Sequence, residues 1–112
     1  MSAAFVYFIT CTEDKLLKIG HSRDPSARLQ TLGRTSPHRL KLVASIPFED
    51  IDQAREFEDM LHDRLSAYRR RGEWFTLNGR LKDLVYAAAM GHSREQFEAT
   101  LNRCLDARRP CG

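Results

Sequence analysis

The chain has 112 residues, 42% hydrophobic and 29% charged, with a formal net charge of +3, which is the size of one domain with one core and too apolar for a disordered or fibrous polymer. No run approaches the roughly 18 apolar residues of a membrane span, and Met1-Ser2-Ala3-Ala4-Phe5-Val6 lacks the basic flank and cleavage pattern of a secretion signal, so a cytoplasmic protein with no membrane partner is expected. Cys11, Cys104 and Cys111 are odd in number, far apart and never in a CxxC pair; they read as free thiols rather than a disulfide framework or a zinc knuckle.

Phe5 to Thr10 is aromatic and β-branched, and a polar turn through Thr12-Glu13-Asp14 separates it from Leu16 to Gly20. The pattern predicts a β-hairpin. With a tight turn, paired residue numbers sum to about 25 and Tyr7 stands across from Lys18 on one face. Asp24 then offers a helix cap and Pro25 a first-turn residue, with Gly33 as the stop. The short helix Ser26 to Leu32 packs Leu29 and Leu32 inward and leaves Arg28 at the edge, able to lean over the hairpin. Leu40 to Ile46 alternates as a third strand, ended by Pro47.

Asp50 with Gln53 resembles a capping box, opening a helix whose Ile51, Ala54, Phe57, Leu61, Leu65 and Tyr68 form an apolar stripe. Glu58 and His62 fall at i and i+4 beside that stripe and are neighbours in space. Gly72 breaks the helix, Glu73-Trp74-Phe75-Thr76 is a brief extended segment, and Leu81 to Met90 is apolar enough for another helix. Ser93 with Gln96 caps a last helix, Phe97 to Leu105, and Arg108 to Gly112 reads as a frayed tail. The expected class is α+β: a small three-stranded antiparallel sheet flanked by helices, with a core over residues 1–77 and a C-terminal helical extension of the same domain over 78–112.

Taken singly, the polar residues are ordinary. Tyr7 is a strand residue, Lys18 an exposed strand lysine, Arg28 a solvated helix residue, and Glu58 a helix partner of His62 or Arg55. Two basic stretches, Arg23 to Lys41 and Arg69-Arg70-Arg71, suit phosphate contacts or simply a solvated face. His62 fits a metal ligand, a proton shuttle or a structural hydrogen-bonding role, the last being preferred. Trp74 and Phe75 fit core residues better than a stacking platform. His38 and His92 carry no signal.

In combination the residues are more specific. The chain resembles the GIY-YIG nuclease superfamily from Phe5 to about Leu77, most closely its small T5orf172 or Mug113-type branch of phage and fungal proteins. Val6-Tyr7 stands at the Ile-Tyr of the first signature, Lys18-Ile19-Gly20 at the Tyr-Ile-Gly of the second, Arg28 at the family arginine and Glu58 at the metal-binding glutamate. Glu58 to His62 and the closing Glu73-Trp74-Phe75 also match the small branch. Phe5 replaces the first signature's glycine, Lys18 replaces the second's tyrosine, and Glu73 lies roughly where the family asparagine would fall.

The resemblance implies a metal-dependent endonuclease that hydrolyses DNA phosphodiesters with a single Mg²⁺ or Mn²⁺ at Glu58. Such chemistry needs a base for water, positive charge on the phosphorane and a Lewis acid by the leaving oxygen. Arg28 offers a planar fork for phosphate oxygens, and a hard carboxylate suits Mg²⁺, which retains several waters. Tyr7 would act as base if Lys18 and the metal lowered its phenol from the usual pKa of about 10. His21, Arg23 and Arg34 are assigned to substrate contact, and His62, Glu73 and Trp74 to support. Target choice would come from a homodimer or a partner protein. The alternatives are a nucleic-acid-binding module without turnover, and an interaction domain using the helices from Leu81 to Leu105.

Overall fold

In the computed structural model, which describes residues 3–91 and 93–105, the hairpin strands β1 (Ala4–Cys11) and β2 (Leu16–Ser22) lie at the centre of the sheet. Their register differs by two from the expected one. Paired numbers sum to 27, so Tyr7 stands across from Gly20 and Lys18 across from Ile9. A shift of two leaves every side chain on its own face, so Tyr7 and Lys18 still share a face, as diagonal neighbours.

The sheet has five antiparallel strands in the order β3-β1-β2-β5-β4, rather than three. Strands β4 (Arg69–Arg71) and β5 (Trp74–Thr76) form a small hairpin around Gly72, whose φ of 56° favours glycine. Each is only three residues long, too short for alternation to register in the sequence. Strand β3 (Lys41–Phe48) runs through Pro47, opposite Phe5, instead of stopping there. It is an edge strand, where a missing N–H can face away from the ladder.

Local capping accounts for the helices. Helix α1 (Pro25–Gly33) begins where Asp24 Oδ1 accepts from Ala27 N at 3.1 Å. In α2 (Ile51–Arg64), Asp50 Oδ1 accepts from Gln53 N at 2.8 Å, and Gln53 Oε1 accepts in return from Glu49 N, one residue before the cap. Helix α3 (Gly79–Ala89) starts two residues earlier than expected, because Asn78 Oδ1 caps Leu81 N at 3.0 Å. Ser93 and Gln96 cap α4 (Arg94–Leu105) reciprocally.

One face of the sheet carries Val6, Phe8, Leu17, Ile19 and Phe75, which join Phe57 and Leu61 of α2, Leu81 and Leu84 of α3, and Phe97 and Leu101 of α4 in a single buried cluster. Phe97 stacks at a tilt on both Phe8 and Phe57, with centroids 6.0 and 5.6 Å apart. Burial of these side chains supplies the main driving force for the fold. Tyr7 and Ile9 point the other way and are also buried; α1 packs against β1, β2 and β3. Cys11 and Cys104 are buried free thiols, whereas Cys111, His92 and the tail from Arg108 lie outside the described residues. Among those residues no helix is long and apolar enough to cross a membrane.

Candidate active site

Strand β5 accompanies β2 only as far as Lys18, and the last rung is Ile19 N donating to Glu73 O at 3.1 Å. Beyond it, no strand among the described residues neighbours the Gly20-His21-Ser22 edge of β2 on that side, so groups from both faces of the sheet can meet there. On one face the Tyr7 ring, 1% exposed, lies across Gly20. A Cβ built on Gly20 would collide with the phenol oxygen, sit 2.5 Å from Cζ and lie 3.1 Å from Glu73 Oε1. Gly20 is outside the left-handed region, so this position requires glycine for space and not for backbone freedom.

Burial pushes the Tyr7 phenol above its usual value. A hydrogen bond and the charge from Arg28 pull the other way, while the charges of Glu73 and Glu58 push it further up. The lowering expected from Lys18 does not occur. Lys18 Nζ, on a side chain 8% exposed, is 3.0 Å from Glu73 Oε1 and 5.4 Å from the centroid of the Trp74 ring, so its charge is neutralised by Glu73. In the metal-free chain the Tyr7 phenol therefore keeps its proton at neutral pH, and the lowering that a role as base would need falls to the metal rather than to Lys18.

Glu58, 5% exposed, reaches the same edge from α2. Its Oε1 is 2.6 Å from His21 Nδ1, and its Oε2 is 3.7 Å from His62 Nε2. A carboxylate only accepts, so His21 Nδ1 carries a proton, and in the neutral ring Nε2 is left as the acceptor. His62 Nε2 is 2.8 Å from Ile19 O, to which it must donate. Its ring also meets Phe75 edge-on at 5.0 Å. His62 thus ties α2 to β2. The Glu58–His21 contact joins residues 37 positions apart; its only sequence sign is that His21 alternates onto the same strand face as Ile19, the face that α2 covers.

Tyr7, Arg28, Glu58, Glu73 and, through Glu73, Lys18 and Trp74 therefore converge on one strand end. Arg23 and Arg34, at either end of α1, are exposed, and among the described residues neither makes a hydrogen bond or ion pair from its side chain into this cluster. A donor set of one buried carboxylate fits Mg²⁺ or Mn²⁺, hard ions that fill most of their shell with water. Glu58 belongs to no group of three or more metal-ligating side chains among the described residues.

A family model described as the T5orf172 domain matches residues 4–110, spanning both the sheet and the C-terminal helices. No curated protein and no solved structure matches the chain.

Proposed function

Because the chain belongs to the T5orf172 domain family, we propose that it is a nuclease of the GIY-YIG type, hydrolysing DNA phosphodiesters with Mg²⁺ or Mn²⁺. The observation that carries this reading is that the Tyr7 phenol takes a hydrogen bond from Arg28 of α1 and also feels the charge of the buried Glu58 carboxylate of α2, at one open strand end. Glu58 would hold the metal through its carboxylate while His21 Nδ1–H keeps that carboxylate oriented. The ion, when bound, supplies Lewis acidity beside the leaving oxygen.

The remaining work falls to the chain's own residues. The exposed Arg28 grips phosphate oxygens and stabilises the charge that grows on them in the transition state. Tyr7, held protonated, donates a hydrogen bond to water or phosphate. His21 Nε2, the ring nitrogen turned away from Glu58, takes a hydrogen bond or proton from water. Lys18, Glu73 and Trp74 act by position, fixing the wall against which Tyr7 rests. The exposed Arg23, Arg34 and Arg69–Arg71 contribute sequence-independent phosphate contacts, so binding weakens as salt rises. Target choice then comes from a second copy or a partner protein.

A second reading, a binding module without turnover, is favoured by the Lys18–Glu73 pair, which withdraws one signature residue from catalysis. Supercoiled, branched and single-stranded DNA incubated with Mg²⁺, Mn²⁺ or EDTA separates the two. Metal-dependent nicking that falls by about a hundredfold or more in Glu58→Gln and Glu58→Ala supports the nuclease. Salt-sensitive binding without cleavage would establish the binding module instead, and cleavage undiminished in EDTA would overturn the metal's role.

A further inference from the structure

At the other end of the β1–β2 hairpin, three side chains with metal-ligating atoms converge. Cys11 ends β1 and pairs with Leu16, Asp14 lies in the turn, and His38 comes from the loop between α1 and β3. Asp14 Oδ2 accepts from Cys11 Sγ at 3.4 Å and is 2.7 Å from His38 Nδ1. All three ligand atoms lie within 4.8 Å of one another. Cys11 is four residues along β1 from Tyr7, about 13 Å, so this cluster is separate from the strand end that holds Glu58.

We propose that Cys11, Asp14 and His38 bind a borderline divalent transition-metal ion, with zinc as its occupant, clipping the hairpin turn to the loop between α1 and β3. The donor set selects the metal. A thiolate with an imidazole suits Zn²⁺ and disfavours Mg²⁺ and Ca²⁺, which take oxygen ligands. The spacing also suits it. With Zn–S near 2.3 Å and Zn–N or Zn–O near 2.0–2.1 Å, tetrahedral ligand atoms stand about 3.3–3.6 Å apart. The Cys11–Asp14 separation of 3.4 Å already lies in that range, and the His38–Asp14 hydrogen bond, at 2.7 Å, need open by only about 0.6–0.7 Å.

Proton balance follows from the same contacts. In the metal-free cluster, two hydrogens point at Asp14 Oδ2, one from the thiol and one from the imidazole. A divalent ion replaces both. The thiol proton goes to solvent, and the Nδ1 proton is either lost from the imidazolium or carried on Nε2 of the neutral ring. Arg39 N donates to Glu13 Oε1 at 3.3 Å, a second tie between the same two segments that holds them together before the ion arrives. Cys11 is 3% exposed, whereas the Asp14 and His38 side chains are 42% and 39% exposed. Solvent therefore reaches the cluster from one side, where water completes a four-coordinate shell.

The test uses the full chain, reduced and stripped of metal, with Co²⁺ as the spectroscopic probe. The expected result is a thiolate-to-cobalt absorption in the near ultraviolet with the intense visible bands of a four-coordinate ion, both erased by Zn²⁺. Cys11→Ser should abolish the thiolate band, and Cys104→Ser and Glu58→Gln should leave it unchanged. Asp14→Asn and His38→Ala should weaken Co²⁺ binding by more than about tenfold. These two alter an exposed and a half-buried loop residue outside the core, so they decide the matter even where Cys11→Ser fails to fold. The proposal is overturned by the absence of a thiolate band in the unmodified chain, by its persistence in Cys11→Ser, or by a Co²⁺ affinity indifferent to His38→Ala. None of these readouts depends on DNA cleavage.

Discussion

Replacing Gly20 by alanine adds one methyl group beneath the Tyr7 ring. Ordinary contact begins at 3.4 Å and the new Cβ would stand 2.5 Å from Cζ and closer still to the phenol oxygen, so the side chain must retreat by at least about 0.9 Å. Tyr7 is buried and Glu73 Oε1 stands 3.1 Å from the same Cβ position, so the added methyl group is confined by both side chains. Overpacking of this kind costs about 1–3 kcal/mol, equivalent to a fall of roughly 5–15 °C in Tm at this chain length. An opposing effect must be weighed. Within a strand, alanine is preferred to glycine by about 0.5–1 kcal/mol on backbone entropy, so the net loss should fall toward the lower half of that range. Urea denaturation, read as a shift in midpoint at constant slope, measures it. In a Tyr7→Ala background the collision is absent and the same substitution should be neutral or stabilising, giving a coupling energy of about 1–3 kcal/mol. A neutral or stabilising Gly20→Ala in the otherwise unmodified chain would refute the ring-on-glycine contact, and with it the explanation of why glycine stands at that position.

Three further outcomes follow from the site. The Tyr7 phenol should ionise above the usual value of 10.0: the folded state holds the proton more tightly than the unfolded chain, so its contribution is complete below the unfolded value and is lost as pH rises past it. Ultraviolet titration against Tyr7→Phe checks this, and a Tyr7 phenol ionising at or below the ordinary value would contradict it. Glu73→Ala leaves the buried Lys18 ammonium without its carboxylate and should destabilise by about 1–3 kcal/mol, most of which Lys18→Met should restore; losses that simply add in the double variant would show that the pair is not coupled. Arg28→Ala should lower the cleavage rate by about a hundredfold or more while changing DNA affinity by only a few-fold, because its phosphate contact strengthens in the transition state. Equal losses in rate and affinity, measured by single turnover and by titration binding, would contradict that assignment.

The parts of the molecule legible in the sequence are those set by neighbours a few residues away. Asp24 and Pro25 start α1, Asp50 with Gln53 starts α2, and Ser93 with Gln96 starts α4 through hydrogen bonds that span three or four residues, so composition and spacing alone reveal them. Alternation along β1 and β2 likewise assigns Val6, Phe8 and Ile19 to one face and Tyr7, Lys18 and Gly20 to the other, in the expected register and in the observed one alike, because the two differ by two residues. The register itself was not legible, because a shift of two residues exchanges partners without turning any apolar side chain to solvent. Strand β5 was visible as the extended segment around Trp74 and Phe75, but β4 was hidden for a different reason: a run of arginines forms it because β5 offers an edge, not because of its own propensity. At the site, residue order and spacing fix which chemical groups are present and which strand face or helix presents them. Their partners come from long-range packing: Glu58 with His21, Lys18 with Glu73, and Tyr7 against Gly20 and beside Arg28. Those pairings depend on which elements lie side by side, and the burial that raises the Tyr7 phenol exists only once the sheet and its helices have closed around it.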